Sequence, residues 1–190
     1  MIHKTAALQM EEIVELIIKN WMTHDIMWFY NYLKEFGVGK NNKINKTAIR
    51  DMSTIKIKRI QKGEGVECIN SFDEFKRFFD LAMSIATGTF MKYVNSSPAH
   101  NIIQSERKSC LAYDGVKAMG VEEHYECGIM LRINAWLETM GIPYEIAPEI
   151  TGCMMHTDGK CYQHHRFSSL RKQCVANESK GPQRSTLLGG

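Results

Sequence analysis

Residues 149–167, EITGCMMHTDGKCYQHHRF, hold two cysteines, three histidines, an aspartate and a glutamate. Thiolates bind zinc or iron because soft sulfur suits the metal and three or four such ligands close a tetrahedral shell. Cys153 and Cys161 flank the Asp158-Gly159 turn signal, so strands on either side would set the two thiols across a hairpin. Cys127, at the start of an upstream amphipathic stretch, could clip a helix end to that hairpin. The plain alternative is that all three are buried and packed as small hydrophobes. A second group lies near the N-terminus. Trp21, His24, Asp25 and Trp28 recur at helical spacing and so project from one side of a helix, with an imidazole and a carboxylate between two indoles. That make-up suits a pocket wall: tryptophans enclose a small planar ligand, and His24 and Asp25 hydrogen-bond it or move a proton. Alternatively Asp25 caps a neighbouring helix or pairs with a basic residue, and His24 is half exposed. Cys110, in RKSC, stands beside two cations that could lower its pKa and make it a nucleophile, or it is a strand cysteine pointing into the core.

The elements that must position these residues can be read from periodicity. ALQMEEIVELIIKNWMTHDIMWFYNYLKEFG carries an apolar helical face that Gly37 and Gly39 close. A second helix is expected over 45–61, ending at KGEG, and a third in NSFDEFKRFFDLAMSIA, capped by Asn70 or Ser71. TFMKYVNS and HNIIQSERKSCLAY then mix β-branched, aromatic and polar residues in near alternation around Ser-Ser-Pro, which predicts an antiparallel hairpin. GVEEHYECGIMLRINAWLETMG returns to helical periodicity, and PYEIAPEITGC and KCYQHHRFSS are expected as two strands.

Composition narrows the function classes. A chain of 190 residues is long enough for one substantial core. The formal net charge of +3 implies no nucleic-acid partner, and runs such as KIKRIQK and RFSSLRK are solvated faces. No apolar stretch approaches the roughly 18 residues of a membrane span. The N-terminus does not read as a secretion signal, so a cytoplasmic location and six reduced cysteines are expected. No phosphate-binding glycine loop, dinucleotide fingerprint or GxSxG elbow is present.

The run from Cys127 through GIMLRINAWLETMG and Glu149 to CMMHTDGKCYQHHRF resembles the end of the 4-vinyl reductase domain, where a cysteine and an amphipathic helix precede an acidic strand and paired cysteines. The resemblance implies a structural zinc on Cys127, Cys153 and Cys161, with Glu149 as fourth ligand and Cys110, His156 or Asp158 as alternatives. Iron is the alternative metal. NWMTHDIMWFYNYLKEFG, Asn20 to Gly37, resembles the first helix of an uncharacterised cytosolic family related to L-2-amino-thiazoline-4-carboxylate hydrolase-like proteins. Together the resemblances cover nearly all of residues 12–167, and they imply a homodimer paired through the helical portion.

The fold expected is α+β: three N-terminal helices packed on an antiparallel sheet, with a later helix and a metal-clipped C-terminal hairpin. A single domain spans 1–171, helical over 1–88 and sheet-bearing over 89–171, and 172–190 form a disordered tail. The function expected is a zinc-containing small-molecule-binding domain whose pocket lies between the N-terminal helix and the sheet. The alternative is a metal-dependent hydrolase of a small amide or thiazoline-like substrate, with His24 or Asp25 as acid or base.

Overall fold

The computed structural model describes residues 8–168, 170 and 173–174. Helix α1 (Met10–Gly63) opens on a capping box in which the Gln9 amide donates to Glu12 Oε2 at 2.8 Å. It breaks at Gly37, whose φ of 77° lies in the region that glycine enters without a Cβ clash. The chain reverses there, so arms 10–36 and 38–63 run back to back. The Asn41 side-chain amide donates to the Phe29 carbonyl at 3.0 Å, and Lys56 Nζ lies 5.3 Å from the Trp21 ring centre. The second arm starts well before residue 45, because the buried amides of Asn41 and Asn42 find partners across the hairpin and in a later loop.

Helix α2 (Phe72–Ala86) follows a short strand β1 (Cys68–Ile69). Ser71 caps it, its hydroxyl accepting from the Glu74 amide at 3.2 Å. Phe72, Phe75, Phe78, Phe79 and Met83 bury one face, as their spacing requires. Phe75 packs on Phe167 with ring centres 4.9 Å apart, and Phe79 meets the fully buried Trp136. β1 pairs antiparallel with β6 (Gln173–Cys174), placing Cys68 opposite Cys174 in register. Cys68 is disulfide-bonded, which corrects the expectation of six reduced thiols. That pairing also carries ordered strand two residues into the segment read as a tail; the remainder of 172–190 lies outside the described residues.

A four-stranded antiparallel sheet has the order β2 (Tyr93–Ser96), β3 (Ile102–Arg107), β5 (Cys161–Arg166), β4 (Glu145–Ala147). The chain is therefore α+β, as expected. Two local expectations fail. The segment after Arg107 does not continue as strand: Cys110 is the N-cap of helix α3 (Leu111–Ala118), which Gly120 ends at φ 67° with the Val121 amide bonded to the Val116 carbonyl at 3.0 Å. Nor do Cys153 and Cys161 face each other across a tight hairpin. β4 does pair with β5, but the connection contains the short helix α5 (Met154–Thr157), with Cys153 as N-cap and Asp158 as C-cap. Helix α4 (Ile129–Thr139) packs on the second arm of α1, held by Arg50 to Glu138 at 2.5 Å, Thr139 to Thr54 at 3.1 Å, and a Lys46–Glu126 ion pair.

The inner face of the sheet is unusually polar. On β3 the buried residues are Ile103, Ser105 and Arg107, and on β5 Cys161, Gln163 and His165. Register sets Arg107 opposite Cys161, Ser105 opposite Gln163, and Ile103 opposite His165. Polar groups hold such positions at a desolvation cost unless they are partnered. His165 has a ring nitrogen 2.9 Å from Asn134 Oδ1, and burial, with a smaller effect of the His164 charge, lowers its pKa from 6.5 to about 4. The unfolded chain therefore takes up a proton that the folded chain refuses between those values. The stability carried by the neutral ring is complete above pH 6.5 and declines as pH falls toward about 4. Urea melts at pH 7 and pH 4.5 should differ by about 2 kcal/mol more in the native chain than in His165→Gln. Equal pH dependence in the two proteins would contradict this.

Candidate functional site

Four free cysteines come from four separate stretches. Cys110 caps α3, Cys127 precedes the N-cap Gly128 of α4, Cys153 caps α5, and Cys161 opens β5. Burial raises the Cys110 thiol, pushes Cys127 up to about 11 and pushes Cys161 up to about 12; in each case the charges of other cysteines in the group add to the rise. Among them, these effects tie Cys110, Cys127, Cys153 and Cys161 into one electrostatic neighbourhood. Opposing the rise, the amides of Ala112 and Tyr113 act on the Cys110 sulfur, and those of Ile129 and Met130 on that of Cys127. Both sulfurs thus sit at helix N-termini, where N–H groups and the helix dipole favour negative charge, although Cys110 makes no full cap hydrogen bond. The cation facing the group is Arg107, 6% exposed, stacked 4.4 Å from the Tyr93 ring centre.

Among the described residues, no group of three or more His, Cys, Asp or Glu side chains has the arrangement of a metal site. The donor chemistry nevertheless suits a soft divalent ion: four thiols, two of them beneath helix N-termini, with a buried guanidinium alongside. A thiol raised by burial is a weak nucleophile at neutral pH, contrary to the activation expected for Cys110 from its flanking cations. Lys108, one of those cations, turns instead to Glu106 at 2.5 Å. Of the proposed fourth ligands, Glu149, His156 and Asp158 are all exposed, and none acts on the thiols. Cys110 does.

The aromatic group lies on the α1 hairpin. A cleft of about 350 Å³ between the two arms is lined by Trp21, Asp25, Trp28 and Phe29 from the first arm, with Ile49 and Met52 among those from the second. Asp25, Phe29 and Ile49 also line a second cavity of about 140 Å³, which reaches Tyr125 and Ile129 beside α4. His24 lines neither. Its side chain is 68% exposed and its Nε2 accepts from Trp28 Nε1 at 3.1 Å, so it orients that indole at the rim. Asp25, with its side chain 56% exposed, stands at the mouth 3.7 Å from His24 Nδ1, and desolvation by the cleft wall raises its pKa.

Sequence reading missed four residues. Arg107 and Arg132 looked like ordinary basic residues, yet Arg107 Nε and Nη1 and Arg132 Nε are buried without hydrogen-bond partners. Lys56, on the second arm of α1, is lowered to about 8 by burial and by the Arg132 charge. Asn42, 2% exposed, donates to the His124 carbonyl at 2.7 Å and accepts from the Glu126 amide at 3.2 Å, so it pins to α1 the loop that carries Tyr125 and Cys127. The signal for Arg107 was present in its alternation with Ile103 and Ser105, which puts it on the inner face of β3.

Asn42→Ala strands two backbone groups in a buried setting and should cost about 2–4 kcal/mol. It should also speed alkylation of Cys127 in the folded protein, read by mass spectrometry of the labelled peptides. Unchanged stability and unchanged labelling would contradict the assigned role.

Comparison with protein-family models, curated proteins and solved structures gives no significant match, so geometry alone carries the functional reading.

Proposed function

We propose that the protein is a small-molecule-binding domain clamped by one zinc ion. The charge effects that the thiols of Cys110, Cys127, Cys153 and Cys161, from four separate segments, exert among themselves support this reading. Cys110, Cys127, Cys153 and Cys161 would hold the ion, with Cys110 replacing Glu149 as fourth ligand. A tetrathiolate zinc is a closed structural centre that joins the N-termini of α3, α4 and α5 to the start of β5. Arg107 would offset the negative charge of such a centre, as a buried guanidinium opposite Cys161 can. The pocket is the cleft of the α1 hairpin, with Trp21 and Trp28 as its aromatic walls and Asp25 at its mouth.

Hydrolysis by His24 or Asp25 is less well supported, because both stand exposed at the rim whereas the cysteines are buried or half-buried. A homodimer through α1 accords with the exposed Met10, Leu16 and Ile17 on its first arm.

Metal analysis of protein purified from zinc-supplemented cells should give about one zinc per chain. Ser at position 110, 127, 153 or 161 should weaken retention against a chelator at least about tenfold, and Glu149→Gln should not. No bound metal, or retention that depends on Glu149 and not on Cys110, would overturn the clamp.

A further inference from the structure

Two adjoining cavities share a wall. The larger, about 350 Å³, lies between the arms of α1, and the smaller, about 140 Å³, reaches α3 and the first residue of α4. Asp25, Phe29, Asn45 and Ile49 line both, so the two spaces meet at these residues. Among the described residues, Asp25 is the one charged side chain that lines either cavity. Four aromatic rings line the larger one: Trp21, Phe29 and Tyr32, all half-buried, and Trp28 exposed at the rim. The Trp28 N–H is already donated to His24 Nε2 at 3.1 Å, so this indole offers a ligand its ring and not a hydrogen bond. The Asn41 side-chain amide likewise already donates to the Phe29 carbonyl. Aromatic faces carry negative potential, and a carboxylate beside them adds to it. The Trp21 ring takes a cation in the folded chain, since Lys56 Nζ stands 5.3 Å from its centre while Lys56 lines neither cavity. That ammonium opposes a second cation, and the Asp25 carboxylate offsets it.

We propose that the cleft binds a small methylated ammonium compound, its cationic head among Trp21, Trp28 and the Asp25 carboxylate and its apolar body in the smaller cavity. This rests on reading the cleft as the binding pocket and names the class of ligand that it accepts. Methyl groups in place of N–H donors suit a space that offers rings and one carboxylate, because such a head gives up few hydrogen bonds to water on entry. Val116, Met119 and Ile129 supply apolar wall to the smaller cavity, and an apolar cavity of about that size takes up a benzene ring.

Isothermal titration calorimetry of the full-length protein near neutral pH, with 3-hydroxyphenyltrimethylammonium and its neutral isostere 3-tert-butylphenol, separates charge from shape. The cation should bind at least about tenfold more tightly than the phenol. Asp25→Asn should cut that preference about threefold. Trp28→Leu should weaken binding of the cation more than that of the phenol. Both positions are exposed, so the variants keep the core intact. Equal affinity for the two probes, or tighter binding of the phenol, would overturn the cation site and leave the cleft as a pocket for neutral rings. A preference unchanged in both variants would place the cation elsewhere on the protein and overturn the site as well. Binding of neither probe would overturn the cation site and the pocket together.

Discussion

Four free thiols, two buried and two half-buried, come from four segments and feel one another's charge, and the proposed site depends on that constraint. A single buried thiol packs as a small hydrophobe at little cost, but the charges of neighbouring cysteines make the thiolates of Cys110, Cys127 and Cys161 harder to form. The chain nevertheless brings Cys110 and Cys127 to helix N-termini, Cys153 to the start of the single turn α5 and Cys161 to the first residue of a strand. Helix N-termini favour negative charge on sulfur, so local backbone and overall burial pull these groups in opposite directions. The divalent cation we propose would resolve that opposition, because it makes the thiolate the stable form in a dry setting.

The polar inner face of the sheet follows from the same constraint. Cys161 and Arg107 are cross-strand partners, so the register of β3 on β5 sets a guanidinium beside the thiols. A slip of one residue would turn both outward. On the other side, Asn42 ties the loop before α4 to the second arm of α1, which couples the placement of Cys127 to the walls of the aromatic cleft. Arg107 answers to the sulfurs, and its charge repels that of Arg132 across the interior.

Much of the architecture was legible because it rests on local rules. The Gly37 reversal, the Ser71 cap with its phenylalanine stripe, and the alternation through β3 each need only a few adjacent residues to be read. Misreadings came where local texture was ambiguous and tertiary context decided. KSCLAY looks like strand continuing from SER, yet the segment from Leu111 is helical once Gly120 supplies the stop, and this moves Cys110 from a strand to a helix cap. The Asp158-Gly159 turn signal is real but closes a short helix instead of a hairpin. No periodicity announces the disulfide at Cys68. Trp21, Asp25 and Trp28 share the cleft as helical spacing implied, whereas His24 falls just outside it, since one residue is 100° of helix turn. Arg132 and Lys56 stayed hidden because a basic side chain on a helix is ordinarily solvated, and only the fold half-buries them.

X-ray absorption at the zinc edge of the purified protein bears most directly on the thiolate clamp, because it counts the sulfurs around the ion. Four sulfur scatterers at about 2.3 Å are the expected shell, falling to three with one nitrogen or oxygen in Cys110→Ser. A native shell with an oxygen or nitrogen ligand already present, or protein without any ordered metal environment, would contradict it.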